Sequence, residues 1–193
     1  EDYNMGMSAW EIKKAKEVIK GEIYKTPLLP SKSLNTERNN EVFFKPENMQ
    51  KTGSFKIRGA FNKLSHLTEE EKKKGVLACS AGNHAQGVAL AASTYGVKAT
   101  IVMPLDAPTS KIIATESYGA EVVLYGDTFD EAADKANETQ KETGATFLHP
   151  FDDEHVIAGQ GTVGLEILEE LEDVDAIIVP VGGGGLIAGI AVA

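Results

Sequence analysis

The sequence has little cysteine, no excess of positive charge and no long apolar run, and each shortage excludes a class of protein. Its single cysteine, Cys79, rules out a disulfide framework and a cysteine-based zinc site, which favours a reducing, cytoplasmic compartment. The 19 Lys and Arg residues against 29 Asp and Glu residues give a net charge of −10, so nucleic-acid phosphates and anionic membranes are poor partners. No apolar segment approaches the roughly 20 residues that a membrane span needs. We therefore expect no nucleic-acid partner and no membrane association.

The 193 residues that are present have an ordinary globular composition, with 42% hydrophobic and 25% charged residues. Short apolar runs alternate with stretches of helical periodicity. This predicts βαβ units and a parallel sheet covered by helices on both faces, which is an α/β fold. The predicted strands are residues 42–45, 76–80, 99–103, 121–125, 146–149 and 176–181. The predicted helices are residues 54–66, 83–95, 109–118, 129–143, 155–171 and 186–193.

Further helix signals lie near the two ends of the sequence. Ser8 and Glu11 form the S-x-x-E capping box of a helix that extends to about Lys20. Helix 186–193 is apolar on every side and has neither a glycine cap nor a basic last turn. Such a helix needs packing partners. We therefore expect the chain to be the front portion of a longer protein, or a truncated one, with an apolar surface that favours association.

Residues 51–59, with the sequence Lys-Thr-Gly-Ser-Phe-Lys-Ile-Arg-Gly, form the first candidate site. Ser54 is the predicted N-cap of a helix, which places Lys56 and Arg58 in its first turn. The helix dipole disfavours cations there, so their presence suits an anion site, and Lys56 should have a depressed pKa suited to Schiff-base chemistry. The alternative is a solvated basic turn. Spacing alone favours that alternative, because lysines are common on protein surfaces.

Residues 79–84 form the second candidate site, where strand 76–80 meets the helix that begins near Asn83. In an open α/β sheet, ligands bind at the carboxyl ends of the strands. Asn83 offers both a donor and an acceptor, so a ligand contact and a helix cap explain it equally well. Cys79, at the end of an apolar strand, is expected to behave as a small buried hydrophobe. His84 has no partner at metal-ligand spacing, so its expected role is structural.

Four consecutive glycines at residues 182–185, here called the tetraglycine turn, form the third candidate site between strand 176–181 and helix 186–193. They would expose backbone amides at a helix N-terminus, which predicts a phosphate cradle. Residues 159–164 match G-x-G-x-x-G, but inside a helical pattern the match is a weak dinucleotide signal. Gly183, Gly185 and Ala188 match a looser form whose acidic partner would lie beyond residue 193. The four histidines lack metal-ligand spacing, so no metal site is predicted.

These motifs, taken in order, resemble the fold type II enzymes that use pyridoxal 5′-phosphate, which share the fold of the tryptophan synthase β subunit. The likeness is greatest to the threonine dehydratase and serine racemase family. The motifs that carry it are residues 44–48, 52–59, 80–87, 150–153, 159–162 and 182–185. The resemblance implies a small domain at residues 50–150. It also implies a large cofactor-binding domain at residues 1–49 and 151–193, which would be incomplete.

The same resemblance implies a role for each matching residue. Lys56 would bond covalently to the cofactor and later move the substrate Cα proton, Phe55 would pack against the cofactor ring, and Asn83 would hydrogen-bond the ring hydroxyl. The remaining implied contacts are the substrate carboxylate at Ser80, Ala81, Gly82, Asn83 and His84, and the cofactor phosphate at Gly182, Gly183, Gly184 and Gly185. In this family the side chain that faces the pyridine nitrogen, usually Ser, Thr or Cys, lies in a later part of the sequence than the segments matched here.

The resemblance implies that the substrate is a small amino acid and that the enzyme is a cytoplasmic homo-oligomer, a dimer or tetramer. Serine racemases carry a hydroxyl residue at the position of Ala81, and alanine cannot donate the proton that racemisation needs. The expected reaction is therefore deamination of L-threonine, and of L-serine, to a 2-oxo acid and ammonia by β-elimination. The alternatives are an amino-acid racemase and a non-catalytic fragment that binds a phosphate or a nucleotide at the tetraglycine turn.

Overall fold

Helices and short strands alternate along the chain, and a computed structural model describes residues 7–38 and 40–193. The helices are α1 (Ala9–Val18), α2 (Lys32–Arg38), α3 (Lys56–Ser65), α4 (Glu69–Lys74), α5 (Asn83–Thr94), α6 (Thr109–Ser117), α7 (Phe129–Thr143), α8 (Glu154–Glu170) and α9 (Gly185–Val192). The strands are β1 (Leu29–Pro30), β2 (Phe43–Phe44), β3 (Val76–Cys79), β4 (Ala99–Met103), β5 (Glu121–Leu124) and β6 (Thr146–Phe147). A single 3₁₀ turn covers Glu47–Met49.

Four strands form a parallel sheet in the order β5-β4-β3-β6. Val76 pairs with Ala99 on one side and with Thr146 on the other, and Thr100 pairs with Glu121. β3 lies inside the sheet and all four of its residues are buried, as an apolar run at a central position requires. The pair β1–β2 forms a separate antiparallel ribbon. The predicted parallel α/β sheet is confirmed.

Both faces of this sheet are covered, because successive strand side chains point in opposite directions. Val76, Ala78 and Ile101 pack with Val88 and Ala89 of α5 in one apolar cluster. The strand residues that alternate with these point to the other face. Leu77, Cys79 and Val102 pack there against Ala132 and Ala136 of α7. Because all the pairings in this sheet are parallel, the carboxyl ends of the strands lie at one edge, where the chain continues into loops.

Side-chain caps begin several of the helices. The predicted box of Ser8 and Glu11 starts α1, and Thr128 with Glu131 starts α7 in the same way. The Asp153 carboxylate starts α8 by accepting hydrogen bonds from the backbone nitrogens of His155 at 2.9 Å and Val156 at 3.1 Å. Each such cap contributes about 1 kcal/mol to stability. No helix in the described ranges is long and apolar enough to cross a bilayer.

The glycines at 159–164 serve helix packing, which is why a dinucleotide pattern occurs inside α8. A Cβ added at Gly159 would lie 2.5 Å from the Arg58 carbonyl oxygen of α3. A Cβ at Gly161 would lie 2.8 Å from the Gly189 carbonyl oxygen of α9. Two of the three glycines therefore allow α8 to approach two helices on different sides, and helix α8 is largely buried between them.

The predicted strand at residues 176–181 is wrong. These residues adopt no regular structure, and the Ile178 side chain is 97% exposed. A parallel strand exists only where a neighbouring strand accepts its hydrogen bonds, and β1–β6 offer it none. The run is apolar as a buried strand would be, but no strand among the residues that the structure describes pairs with it. Helix α9, by contrast, finds a partner in α8, although Ile187 stays 38% exposed.

Candidate active site

Lys56 is the first residue of α3, and the turn that precedes it differs from the prediction. The capping position belongs to Phe55, whose side chain makes no capping bond, so the prediction that Ser54 is the N-cap is wrong by one residue. Gly53 reverses the chain with φ +71°, and Phe55 already has helical dihedral angles. Ser54 Oγ still accepts a long hydrogen bond of 3.4 Å from the Lys56 backbone nitrogen.

The Lys56 amine is half-buried and has few partners. Its Nζ donates to the Pro150 carbonyl oxygen at 2.6 Å and lies 5.4 Å from the centre of the Phe55 ring. Burial lowers the pKa of this amine, because desolvation penalises the charged form. The predicted direction of the pKa is confirmed, and burial is its cause. An amine of this kind can lose its proton and react with a carbonyl carbon.

Arg58 lies two residues further along α3 and has a different role from Lys56. Its side chain is fully buried, so both the anion-site and the solvated-turn interpretations are wrong for it. The guanidinium donates two hydrogen bonds to Glu47 at 2.7 and 2.8 Å, and two to Glu166 at 2.6 and 2.9 Å. Lys45 Nζ donates to Glu166 at 2.7 Å. These four side chains, here called the charge cluster, contain two cations and two carboxylates.

The charge cluster is electrostatically saturated. Burial opposes ionisation of Glu166, yet the hydrogen bonds from Arg58 and Lys45 outweigh it and hold the carboxyl pKa below its usual range. Burial also opposes the charge on Arg58. The hydrogen bonds to Glu47 and Glu166 outweigh burial, so the pKa of Arg58 is raised above its ordinary value. No charge is left over for a ligand. Sequence reasoning missed these partners, although Thr162 and Glu166, four residues apart on the apolar side of α8, signalled a buried polar contact.

The loop at residues 80–84 connects β3 to α5 at the open edge of the sheet. Gly82 occupies the capping position of α5, so Asn83 is the first helical residue and not the cap. The Asn83 side chain is exposed and the Ala81 side chain is partly buried. Ser80 Oγ accepts a hydrogen bond of 3.2 Å from the Gly82 nitrogen, which holds the loop in a tight turn. The first backbone N–H groups of α5 therefore point out of this edge.

The side chains of Cys79 and His84 face the interior. Burial raises the pKa of the Cys79 thiol to about 11, so it behaves as the predicted small hydrophobe. His84 is 3% exposed, and its Nε2 lies 2.9 Å from the Leu148 carbonyl oxygen, which only accepts. Burial lowers the pKa of His84 to about 4, so the ring is neutral and donates from Nε2. Neither side chain is placed to act as a general base at the edge.

The tetraglycine turn leads into α9, and its members have different surroundings. A Cβ at Gly183 would lie 2.2 Å from the Phe151 ring, so packing requires this glycine. Gly184 has φ +89°, and around both Gly182 and Gly184 a Cβ would meet nothing within 4 Å. A shallow cleft of about 280 Å³ lies beside the turn and is lined by Phe151, Asp152, Ile157, Gly183, Gly184, Gly185 and Ala188.

Two consecutive residues connect the lysine to the glycines. Pro150 accepts the hydrogen bond from the Lys56 amine, and Phe151 packs on Gly183. Both residues follow β6, which pairs with β3, the strand that precedes loop 80–84. The structure thus brings all three predicted sites to one region at the carboxyl edge of the sheet. Nowhere in residues 7–38 and 40–193 do His, Cys, Asp and Glu cluster as a metal site would require.

A half-buried amine beside a glycine-rich helix start, at the carboxyl edge of a parallel sheet, defines a class of protein. Such proteins hold a small anionic molecule next to a reactive nitrogen. The chain belongs to the family of pyridoxal-phosphate dependent enzymes, because the sequence profile of that family matches residues 19–193. The site fits this cofactor, since an aldehyde and a phosphate match an amine and a turn with open space at Gly182 and Gly184.

Individual relatives agree with this family. The chain is 58% identical over 183 residues to the L-threonine ammonia-lyase of Thermotoga maritima, covering 95% of this chain and 46% of that protein. It is 56% identical over 191 residues to the L-threonine dehydratase catabolic TdcB of Escherichia coli strain K12, covering 99% and 58%. The solved structure of maize serine racemase superposes with a TM-score of 0.94 at 41% identity, covering 97% and 57%. The chain spans about half the length of these relatives.

Proposed function

We propose that the protein is a pyridoxal-phosphate dependent ammonia-lyase that converts L-threonine, and L-serine, to a 2-oxo acid and ammonia. The observation that carries this proposal is the Lys56 amine, which is half-buried, has a lowered pKa and is joined to the tetraglycine turn through Pro150 and Phe151. Two relatives that are 56–58% identical bear the names threonine ammonia-lyase and threonine dehydratase, which supports the choice of substrate.

In this proposal the chain's own residues bind and orient the cofactor. Lys56 holds it covalently, Phe55 packs against its ring, Asn83 donates to its ring hydroxyl, and the backbone N–H groups of Gly182, Gly183, Gly184 and Gly185 hold its phosphate. When bound, pyridoxal phosphate supplies an electron sink for carbanion chemistry. The exposure of Asn83 and the open space at Gly182 and Gly184 support these assignments.

The proton transfer is assigned to Lys56. A general base must be unprotonated near neutral pH, and burial lowers the pKa of this amine toward that condition. Cys79 and His84 are turned into the interior, so neither competes for the role. The N–H groups at the start of α5, from loop 80–84, are placed to hold the substrate carboxylate, because the helix dipole favours an anion there.

The second candidate is an amino-acid racemase, favoured by the similarity to maize serine racemase. Racemisation needs a proton donor on the side of the substrate opposite Lys56. Ala81 stands at the loop position where serine racemases carry a hydroxyl, and its methyl group cannot donate. Ammonia and 2-oxo acid without D-serine would support the lyase, whereas D-serine formed from L-serine would support the racemase.

The proposal is tested most directly by adding pyridoxal phosphate and recording the visible absorbance spectrum. We expect a yellow band in the wild-type protein that is abolished in Lys56→Ala, because only a primary amine forms an imine with the aldehyde. Lys51→Ala is the matched control, since this lysine lies in the same turn with its Nζ 5.5 Å from the Tyr24 ring centre. A band that persists in Lys56→Ala, or dinucleotide binding without any band, contradicts the proposal.

The proposal extends to the compartment, the oligomeric state and the domain division of the enzyme. The lone buried Cys79 and the charge of −10 support a cytoplasmic protein, and the exposed apolar residues Ile178 and Val181 support a homo-oligomer, a dimer or tetramer. Residues 50–150 would form the small domain, and residues 1–49 with 151–193 the large one. Light scattering on the purified protein measures the oligomeric state, and a monomer at micromolar concentration would contradict it.

A further inference from the structure

Two imidazole rings hold the segment that joins Lys56 to the tetraglycine turn. At its start, the Leu148 nitrogen donates to the Leu77 carbonyl at 2.8 Å, and His84 Nε2 donates to the Leu148 carbonyl at 2.9 Å. Leu148 is therefore fixed from both its polar groups. The next residues are His149, then Pro150, whose carbonyl accepts from the Lys56 amine.

His149 closes the turn that follows. Its Nδ1 accepts hydrogen bonds from the backbone nitrogen of Asp152 at 2.7 Å and from that of Phe151 at 3.3 Å. Its ring also packs edge-on against the Phe151 ring, with centres 4.6 Å apart and planes at 83°. Because backbone N–H groups only donate, Nδ1 must carry a free electron pair in this arrangement. The imidazole thus acts as the side-chain acceptor that Asp or Asn supplies in an Asx turn.

We propose that His149 is a positioning residue, whose unprotonated Nδ1 shapes the turn at residues 149–152 so that Pro150 meets the Lys56 amine and Phe151 meets the tetraglycine turn. The catalytic consequence rests on the proposed function, because it assumes that Lys56 is the cofactor lysine. The shape of the turn does not depend on that assumption. Neither the family match nor the motifs of the sequence assign any role to this histidine.

The turn should open on acidification. The ionisable groups near it are Lys56 from α3, His84 from α5, and Asp152 within the turn. His84 stays neutral because burial lowers its pKa to about 4. A proton on His149 Nδ1 would place an N–H against two other N–H groups, so both hydrogen bonds would be lost.

The test measures amide hydrogen exchange of Asp152 in the protein incubated with pyridoxal phosphate, and in the protein without it, at about pH 8 and about pH 5, as protection factors that correct for intrinsic exchange. We expect wild-type protection to fall about fivefold on acidification, the effect of losing one net hydrogen bond. His149→Asn should keep protection high at both pH values, since an amide oxygen accepts without titrating. His149→Leu should have low protection at both.

The Val76 amide, which is buried in β3 and donates to the Lys98 carbonyl oxygen at 2.8 Å, is the internal reference for global unfolding. Wild-type protection that does not change with pH overturns the inference without any mutant, as does His149→Leu protection equal to wild type. A second measurement is the pH profile of kcat, whose acid-side decline should become smaller in His149→Asn, while the part caused by protonation of Lys56 should remain. If exchange behaves as expected while no yellow band forms, the proposed function is wrong, but the inference that His149 shapes the turn at residues 149–152 holds. If the band forms and exchange is unchanged, only the role of His149 fails.

Discussion

Lys56 and Arg58 begin the same helix two residues apart, yet the structure treats their charges in opposite ways. Arg58 is fully buried and bonded to two carboxylates, whereas the half-buried Lys56 amine donates to one carbonyl oxygen. The saturated cation cannot give up its proton, and the poorly paired one can. The comparison shows what makes a buried cation reactive. Lys56 lacks a carboxylate partner, so it can lose its proton, whereas the neighbouring Arg58 has two carboxylate partners and stays charged.

The largest effect is expected when the charge cluster is broken. Arg58→Met should lower the free energy of unfolding by about 3–5 kcal/mol, because Glu47 and Glu166 would be left buried with less compensation. Urea denaturation measures this loss. Lys98→Met, which removes an exposed ion pair with Glu121, is the control and should cost less than about 1 kcal/mol. Equal losses in the two variants would show that the charge cluster stabilises no more than a surface pair.

The charge cluster also predicts acid sensitivity. The folded-state pKa of Glu166 is lowered by Arg58 and Lys45, so its contribution is present above the pKa of an unfolded glutamate, about 4.3. This contribution should be lost as the pH falls through the window below that value. In Glu166→Gln, the acid-dependent part of the unfolding free energy in this window should shrink. An unchanged acid profile would mean that Glu166 is no better stabilised in the folded state than in the unfolded chain.

A smaller effect is expected when the approach of α8 to α3 is obstructed. A Cβ at Gly159 would lie 2.5 Å from the Arg58 carbonyl oxygen, so Gly159→Ala should cost about 1–3 kcal/mol by overpacking. Gly182→Ala is the control, because a Cβ there meets nothing within 4 Å. Thermal unfolding compares the two variants. A Gly159→Ala protein as stable as wild type would show that the two helices can separate without loss.

The smallest effect on stability is expected at Lys56. Lys56→Met should leave the free energy of unfolding within about 1 kcal/mol of wild type, because the charge that is removed is poorly paired. The folded pKa is lowered, so the native state binds fewer protons than the unfolded chain below the ordinary lysine value of about 10.4. Wild type should therefore gain stability relative to Lys56→Met as the pH rises through this window. A relative loss with rising pH would contradict the direction of the shift.

Local signals in the sequence determined most of the elements. The alternating pattern predicted β3, β4 and α7 to within about one residue, because side-chain periodicity reports which face of an element is buried. The capping boxes marked helix starts for the same local reason, and Thr68 with Glu71 begins α4, which went unpredicted although the signal was there. The tetraglycine turn was also a local prediction, since four glycines before an apolar helix have few other uses.

Only the tertiary structure decided what each charged or apolar group would meet. Arg58 finds Glu166 at a separation of 108 residues, and Lys56 finds the Pro150 carbonyl at a separation of 94. Residues 176–181 look like a buried strand in sequence and have no neighbour to pair with in the described chain. Propensity and periodicity act over a few residues, whereas burial, ion pairing and pKa values depend on atoms brought together by packing. The sequence shows that Lys56 and Arg58 are cations, but only the folded structure sets their distances to the partner atoms that decide their pKa values.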